Sequence, residues 1–183
     1  MADDADDGTS RRTLLKVGWA GAALLAVGGG MLGTRGGVLR EPRAKLHRLS
    51  VHEFSIVAAM ADRFHPGVGG LPTAWELRVP EKLDGLLWSM HPADSHELQN
   101  GLRFFENALT GAILDRRFNT FTASTPSEQD AIIETWRGSS MFTRRMLIKA
   151  TRGLTASIYW ADPRVFSHCG YPGPPNFGNV VQP

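Results

Sequence analysis

Apolar residues in the central part of the chain recur every three or four positions, which is the spacing of one face of an α-helix. The first of these runs begins at Phe54 and ends at Phe64, before His65-Pro66-Gly67 interrupts it. Ser50-x-x-Glu53 has the form of a capping box, in which a hydroxyl and a carboxylate bond the free N–H groups of a helix start. The pattern therefore predicts a first helix that begins after Ser50 and ends near residue 64.

Two further capping boxes and two prolines predict where other helices begin. Thr73-x-x-Glu76 is predicted to open a short helix, and Pro80 to be the first residue of the next, because proline fits only the first turn. A longer helix is predicted after Pro92, and another from Thr125-Pro126-x-Glu128 to Gly138. The apolar face of the helix after Pro92 is predicted to hold Leu98, Leu102, Phe105, Leu109 and Ile113.

The last helix is predicted from about Met141 to Ala161. Its buried face is expected to consist of Phe142, Met146, Ala150, Leu154 and Ile158. Arg145, Lys149 and Arg152 are assigned to another, exposed face. Because no segment alternates with a period of two, the predicted fold is all-α, a small antiparallel helical bundle.

The composition changes at Asp162, after which proline, glycine and aromatic residues dominate. Proline at this density disfavours a regular helix, so an extended C-terminal tail is predicted that lies against the bundle or on a partner. Three regions follow. They are a signal and linker over 1–40, a helical bundle over 41–161, and an extended, partner-binding tail over 162–183.

The N-terminal region contains an apolar run from Val17 to Leu32, which as a helix would be about 24 Å long. This is shorter than the hydrocarbon core of a bilayer and typical of a signal peptide. The residues before it resemble a twin-arginine export signal, Ser/Thr-Arg-Arg-x-Phe/Leu-Leu-Lys. They are Ser10, Arg11, Arg12, Leu14, Leu15 and Lys16.

No clean Ala-x-Ala cleavage site follows the run, so the signal is either cut at a poor site or kept as an anchor. The expected location is the periplasm or the outer face of the cytoplasmic membrane, reached through the twin-arginine translocase. This route carries folded proteins that usually hold a cofactor. The chain is therefore expected either to bind a cofactor or to escort a protein that does.

Composition limits the functional classes. The 183 residues are 42% apolar and 21% charged, as in an ordinary globular domain. The formal net charge of only +2 argues against a nucleic-acid partner.

A search for chemistry finds no nucleotide-binding, nucleophile-elbow or zinc-protease motif in the sequence. His47 and His52 are five positions apart, as are His91 and His96, so they miss the spacing of metal ligands on a helix. All six histidines, including His65, are expected at the surface or in loops. No catalytic, cofactor-binding or metal-ligating residue is predicted in this chain.

Cys169 is the only cysteine, which argues against c-type haem, structural zinc or an iron–sulfur cluster here. In an oxidising compartment it would be either a small buried apolar residue or the partner of a cysteine on another chain.

Aromatic residues provide a second indication of a partner. Trp75, Trp88, Trp136 and Trp160 exceed what the core of a small bundle needs, and Phe166, Tyr171 and Phe177 follow in the tail. Such residues are enriched at interfaces, although each tryptophan taken alone is expected in the core.

Several short motifs carry a resemblance to a known family. They are Leu49 and Glu53, then Ala61-Asp62-Arg63 and Pro66, then Tyr159 and Pro163, and Gly170-Tyr171-Pro172-Gly173. In this order and after a twin-arginine signal, they resemble the gluconate 2-dehydrogenase subunit 3 family, the small gamma subunits of membrane-bound flavoprotein dehydrogenases. His65 stands where that family usually has an apolar residue.

The resemblance implies a non-catalytic subunit that binds, stabilises and exports a large FAD-containing catalytic subunit of the glucose–methanol–choline type. A cytochrome c subunit commonly completes such complexes, so haem c would also reside outside this chain. Two alternatives are an exported helical protein with its own metal or redox cofactor, and an exported binding protein with some other partner. The expected interface comprises Tyr159, Trp160, Pro163, Cys169, Gly170, Tyr171, Pro172 and Gly173, with Cys169 as the candidate for an intersubunit disulfide.

Overall fold

The computed structural model describes residues 37–107 and 119–174, which form six α-helices and no strand. The helices are α1 (Val51–Phe64), α2 (Val79–Ser89), α3 (Pro92–Glu106), α4 (Pro126–Arg137), α5 (Phe142–Trp160) and α6 (Pro163–Cys169). A short 3₁₀ turn, Val68–Gly70, lies between α1 and α2. The predicted all-α fold is confirmed. The twin-arginine residues, Leu109 and Ile113 lie outside the described residues.

Helix α1 lies at the centre of the bundle and contacts α2, α3, α4 and α5. Nine consecutive residues, from Glu53 to Ala61, are buried, so no side of this stretch faces water. The predicted capping box is present, because the Ser50 hydroxyl accepts from the Glu53 N–H and the Glu53 carboxylate accepts from the Ser50 N–H. The box over Thr125 and Glu128 is likewise present at the start of α4.

The segment after Thr73 differs from the prediction. The Thr73 hydroxyl accepts from the Glu76 N–H and the Glu76 carboxylate from the Thr73 N–H, as expected. However, turns rather than a helix follow, and the chain reverses at Arg78, whose φ is 56°. A helix running through this stretch would place the Pro80 ring against the carbonyl of Glu76. Pro80 instead lies in the first turn of α2, as predicted.

The buried face of α5 is only partly the predicted one, because Leu154 and Ile158 pack against the core as expected but the first two predicted residues do not. Phe142 is 68% exposed and Met146 is 40% exposed. The buried residues of α5 are Arg144, Leu147, Ile148, Thr151, Thr155 and Tyr159. Two polar members of this face have partners close by, because the Thr155 hydroxyl donates to the Thr151 carbonyl and the Arg144 guanidinium lies 4.7 Å from the Trp136 ring.

The segment after Asp162 begins with a helix, so the prediction of an extended chain from this residue onward is wrong for its first part. Asp162 caps α6 by accepting from the Arg164 N–H, and Pro163 occupies the first turn. A proline in that position favours a helix start instead of preventing it. Residues 171–174 are not helical, and residues 175–183 lie outside the described part of the chain.

Residues 37–50 run along the bundle and are fastened to it by backbone hydrogen bonds. The buried Asp84 carboxylate accepts from the N–H groups of His47, Arg48 and Leu49 at 2.7, 2.9 and 2.7 Å. At the other end of the segment, the Val38 N–H donates to the Thr122 hydroxyl at 3.0 Å. The chain before residue 37 therefore continues from a fixed point beside Thr122.

Candidate partner-binding surface

Two motif segments about a hundred positions apart in sequence meet at one end of the bundle. The Tyr159 ring stacks on the His65 ring with centroids 4.4 Å apart, and the Tyr159 hydroxyl donates to the Pro72 carbonyl at 2.7 Å. A small apolar cluster surrounds this contact, comprising Ala61, Ala74, Leu77, Val79, Tyr159 and Val165. The end of α1, the loop after it and α6 thus form one continuous surface.

His65 lies in the loop after α1, in agreement with the prediction of surface or loop histidines, but it is buried beneath this surface. Only 8% of the residue is exposed, whereas the other five histidines are exposed. Burial, together with the nearby charge of Arg152, lowers the pKa of His65 to about 4. The imidazole is therefore neutral near pH 7. The spacing of histidines in the sequence contains no signal for this burial, which depends on Tyr159.

Asp162 fastens α6 to the rest of the bundle. Its carboxylate accepts from the Arg164 side chain at 2.9 Å and from the Lys82 ammonium at 2.7 Å, which joins α6 to α2. These hydrogen bonds, the ones from Arg164 above all, hold the pKa of Asp162 well below its usual range. Arg164 also reaches the Glu76 carbonyl at 3.4 Å. The orientation of α6 is thereby fixed by a charged residue that is itself only 6% exposed.

The Gly-Tyr-Pro-Gly motif turns the chain back over α6. Gly170 has a φ of 68°, which glycine adopts without strain, and the next N–H, of Tyr171, donates to the Phe166 carbonyl at 3.1 Å. The Tyr171 ring packs edge-on against Phe166, with centroids 5.0 Å apart. Gly173 has a φ of 99° and also lies close to the Phe166 ring.

Most of the predicted interface residues are accessible on this surface. Exposed residues are Trp160, Pro163, Cys169, Gly170, Tyr171 and Pro172, and Gly173 is half-buried. Tyr159 differs, because it is 2% exposed and engaged inside the chain, so it supports the surface from beneath without lying on it. The Cys169 thiol is free and exposed at the end of α6, with its sulfur 3.5 Å from the Phe166 carbonyl.

The tryptophans divide between core and surface. Trp136 is 1% exposed and belongs to the main core, whereas Trp88 is 61% exposed and Trp160 is 48% exposed. Trp75 is half-buried, with the guanidinium groups of Arg40 and Arg43 5.4 and 4.3 Å from its ring. Phe177 lies outside the described residues.

The charged residues of the Ala61-Asp62-Arg63 motif are used within the chain. Asp62 pairs with Arg40, and Arg63 makes two hydrogen bonds to the Asp130 carboxylate at 2.6 and 2.8 Å. An open cleft of about 620 Å³ lies beside these pairs and Trp75. These contacts hold residues 37–43 and α4 against α1 and leave no free acid–base pair in the cleft.

A second open cleft, of about 760 Å³, lies between α6 and the loop after α1. Its lining includes Arg43, Glu76, Arg164 and His168. Over residues 37–107 and 119–174, no three His, Cys, Asp or Glu side chains come together as metal ligands would. In the same ranges, no helix is long and apolar enough to cross a membrane.

The sequence pattern of a family described as gluconate 2-dehydrogenase subunit 3 matches residues 51–173 of the chain. This match runs from the first residue of α1 to the last glycine of Gly-Tyr-Pro-Gly. The chain belongs to the gluconate 2-dehydrogenase subunit 3 family. Its members are subunits of a dehydrogenase complex, as the family's description states. No curated protein and no solved structure matches the chain.

Membership confirms the resemblance carried by the short motifs. It also gives those motifs a common setting, since nearly all of them lie in α1, in the loop that follows it, or in the segment from Tyr159 to Gly173. In this member of the family, the motif residues Asp62, Arg63 and Tyr159 maintain the fold. Pro163 and most of Gly170-Tyr171-Pro172-Gly173 remain accessible to another molecule.

Proposed function

We propose that this chain is the non-catalytic small subunit of an exported, FAD-dependent dehydrogenase complex. In this proposal it binds and stabilises a large flavoprotein of the glucose–methanol–choline type, and its twin-arginine signal carries the folded pair across the membrane. The FAD belongs to the large subunit, and haem c to a cytochrome c subunit of the same complex. The translocase is the third partner.

One observation carries the proposal, namely the accessible end of the bundle built from α6 and the turn after it. Trp160, Tyr171 and Pro172 are exposed there on a segment whose position is fixed by buried contacts of Tyr159 and Asp162. Large, preorganised aromatic side chains are efficient anchors, because little side-chain entropy is lost when they bind. In a dehydrogenase subunit, such a surface can bind another subunit of the complex.

The decisive experiment is the purification of the tagged full-length chain from gently solubilised cell envelopes, followed by an absorbance spectrum. We expect a large partner with flavin absorption to accompany the chain. A chain that purifies alone and without colour would overturn the proposal, and metal analysis of that chain would then test the alternative of a cofactor of its own.

Export through this chain is tested by changing Arg11 and Arg12 to Lys. We expect both the chain and the flavoprotein to remain in the cytoplasm, because the flavoprotein depends on the signal of its small subunit. Changing Lys16 to Arg is the matched control. It also exchanges one basic residue for another, but it leaves Arg11 and Arg12 in place. Continued export of the flavoprotein with the Lys pair would contradict the role as an escort.

A disulfide to the large subunit is tested at Cys169, whose exposed thiol can reach another chain. On a non-reducing gel we expect a covalent heterodimer in the parent and its loss in Cys169→Ser. The absence of this species in the parent would show that the subunits associate without a covalent bond.

A further inference from the structure

The exposed face of α5 carries large apolar side chains, although part of its buried face is polar. α5 buries Arg144, Thr151 and Thr155, while Phe142 and Trp160 are 68% and 48% exposed. Apolar side chains usually take the buried positions of a surface helix and polar ones the exposed positions. The contacts of the described residues do not cover these apolar side chains of α5.

These residues share one side of the helix. Phe142, Met146, Gly153 and Trp160 are separated by four, seven and seven positions, which brings them into one line along the axis. The exposed Lys149, seven positions after Phe142 and four before Gly153, lies in the same line between Met146 and Gly153. The line extends over about 27 Å at the rise of an α-helix. We call these four residues the α5 stripe. It ends at Trp160, where the accessible surface of α6 begins, so the two form one continuous area.

Gly153 supplies a second observation. It is exposed in the interior of a helix, where glycine is less favourable than alanine by about 1 kcal/mol. A Cβ at this position would meet no atom of the chain within 4 Å, so internal packing does not require the glycine. At Gly101 in α3 the reason is internal, because a Cβ there would lie 2.8 Å from the Leu147 side chain. Gly153 lies one turn after Lys149 and two turns before Trp160, and its missing side chain leaves a gap in this line into which another backbone can fit.

The charges beside the α5 stripe indicate the chemistry of its occupant. Arg145, Lys149 and Arg152 are exposed on α5, and the helix contains no Asp or Glu. None of the three makes an ion pair with another residue of the described ranges. The Arg145 guanidinium, however, donates to the Ser139 and Ser140 carbonyls at 2.6 and 2.8 Å, so Lys149 and Arg152 are the cations that a partner could pair. An occupant with acidic residues beside an apolar strip would complement both features.

We propose that the α5 stripe is the docking surface for a helix of the flavoprotein that is apolar where it meets Phe142, Met146 and Trp160 and has Asp or Glu opposite Lys149 and Arg152. The inference rests on the proposed function and identifies where the partner is held. Phe142 and Trp160 anchor the two ends of the partner helix, Gly153 admits its backbone, and the two cations pair with its acids. A membrane surface does not need a backbone-sized gap at Gly153, whereas a closely packed helix does. We therefore assign a protein helix and not a membrane.

The test uses Gly153→Gln, which fills the gap with a side chain that the fold tolerates. Its control is Gly85→Gln in α2, another exposed helical glycine whose Cβ would meet no atom within 4 Å. The probe is the flavoprotein that co-purifies with the parent chain, separated under reducing conditions and rebound to each full-length variant. Thermal unfolding of each free variant shows that it remains folded.

We expect Gly153→Gln to raise the Kd by about tenfold or more, which corresponds to about 1.4 kcal/mol, and Gly85→Gln to leave it within about twofold. Lys149→Glu should also raise the Kd and weaken its dependence on salt. An unchanged Kd for Gly153→Gln, or equal losses at both glycines, would overturn the proposal.

Two further readouts separate this inference from its alternatives. If the parent chain recovers no flavoprotein, the proposed function fails, whereas a recovered flavoprotein that binds Gly153→Gln as tightly as the parent shows that only the docking surface is wrong. Vesicles of phosphatidylglycerol and phosphatidylcholine serve as the lipid probe. Binding of the parent to these vesicles, together with an unchanged Kd for the flavoprotein in Gly153→Gln, would assign the stripe to a membrane and overturn the proposal.

Discussion

Helices α1 and α5 both contact most of the other helices, yet they use their surfaces in opposite ways. α1 is buried on every side over Glu53–Ala61, and its exposed residues lie at its ends. α5 buries Leu147, Ile148 and Tyr159 together with two threonines and an arginine, and it also presents Phe142, Met146 and Trp160 outward. The first is the arrangement of a helix that serves the chain's own fold. The second is the arrangement that we expect of a helix that packs on its own chain with one face and on the partner subunit with the other.

This difference separates two kinds of apolar residue that look alike in the sequence. Phe54 and Phe142 each begin a helix-spaced run, but only Phe54 is withdrawn from water in the isolated chain. The hydrophobic effect then acts during folding for the first residue and during subunit association for the second. Burial of Phe54 stabilises the subunit, whereas burial of Phe142 would stabilise the complex.

The largest expected difference between α1 and α5 is tested by changing each phenylalanine, Phe54 and Phe142, to alanine. Phe54→Ala should lower the free energy of unfolding by about 3–5 kcal/mol, because it removes a fully buried ring and leaves a cavity. Phe142→Ala should change it by less than about 0.5 kcal/mol, as for other surface positions. Urea denaturation of the full-length chain measures both. Equal losses would mean that the outer face of α5 is already covered in the free subunit.

The contact between the end of α1 and α5 gives the next largest effect, through His65 and Tyr159. Burial lowers the pKa of His65 to about 4, so only the unfolded chain takes up this proton as the pH falls below about 6.5. Stability present at neutral pH is therefore lost between about pH 6.5 and 4, by about 3 kcal/mol. His65→Phe keeps an aromatic ring against Tyr159 and should remove this loss.

The measurement is urea denaturation of parent and His65→Phe over that pH range. His96→Gln is the control, because it replaces an exposed histidine that lies outside the contact with Tyr159. A parent and His65→Phe variant with parallel pH profiles would contradict the assignment of the acid sensitivity to His65.

At the other end of α5, Asp162→Asn should loosen α6. The variant loses the charged hydrogen bonds with Lys82 and Arg164, which we expect to cost about 1–2 kcal/mol because both cations remain partly hydrated. The low pKa of Asp162 means that its contribution is present above about pH 4 and is lost as the pH falls further.

Hydrogen exchange of the α6 amides measures this loosening in Asp162→Asn. Asp130→Asn is the comparison, since it removes a more exposed ion pair with Arg63 and should cost less. Unchanged protection of the α6 amides in Asp162→Asn would show that Val165 and Tyr159 hold the helix without the carboxylate.

The smallest effect concerns the glycines of the helices. Gly153→Ala and Gly85→Ala should each stabilise the free chain by about 0.5–1 kcal/mol, because alanine favours the helix and meets no neighbour. Gly101→Ala should gain less or lose stability, since Leu147 must move to admit its Cβ. Thermal unfolding compares the three. Destabilisation by Gly153→Ala in the free chain would point to an internal role for this glycine.

Much of the fold was predictable because helix starts are local events. The capping boxes at Ser50 and Thr125, and the proline in the first turn of α2, act within one turn of the backbone and are found where the sequence predicts them. Local rules were insufficient after Thr73. Thr73 and Glu76 form their box, but turns follow it and the backbone leaves the helical region at Arg78, whose φ is 56°.

The accessible end of the bundle was predictable in part. The motif from Gly170 to Gly173 is near the surface as predicted, because glycine and proline determine the turn that it makes. The burial of Tyr159 was missed, since it depends on His65 and Pro72, which lie far away along the chain. The helix at Pro163 was missed because a single capping aspartate outweighs the general effect of a proline-rich composition.

The sequence by itself determined the helical class, most helix starts and the family to which the chain belongs, because these follow from short-range backbone chemistry and short motifs. Only the tertiary structure decided which side of α5 faces the core, that His65 is buried, and that residues near 65 and 160 meet. A helix-spaced pattern of apolar residues shows that a helix has neighbours but not whether they belong to its own chain. That choice depends on packing between segments distant in sequence, which the periodicity of any one segment does not encode.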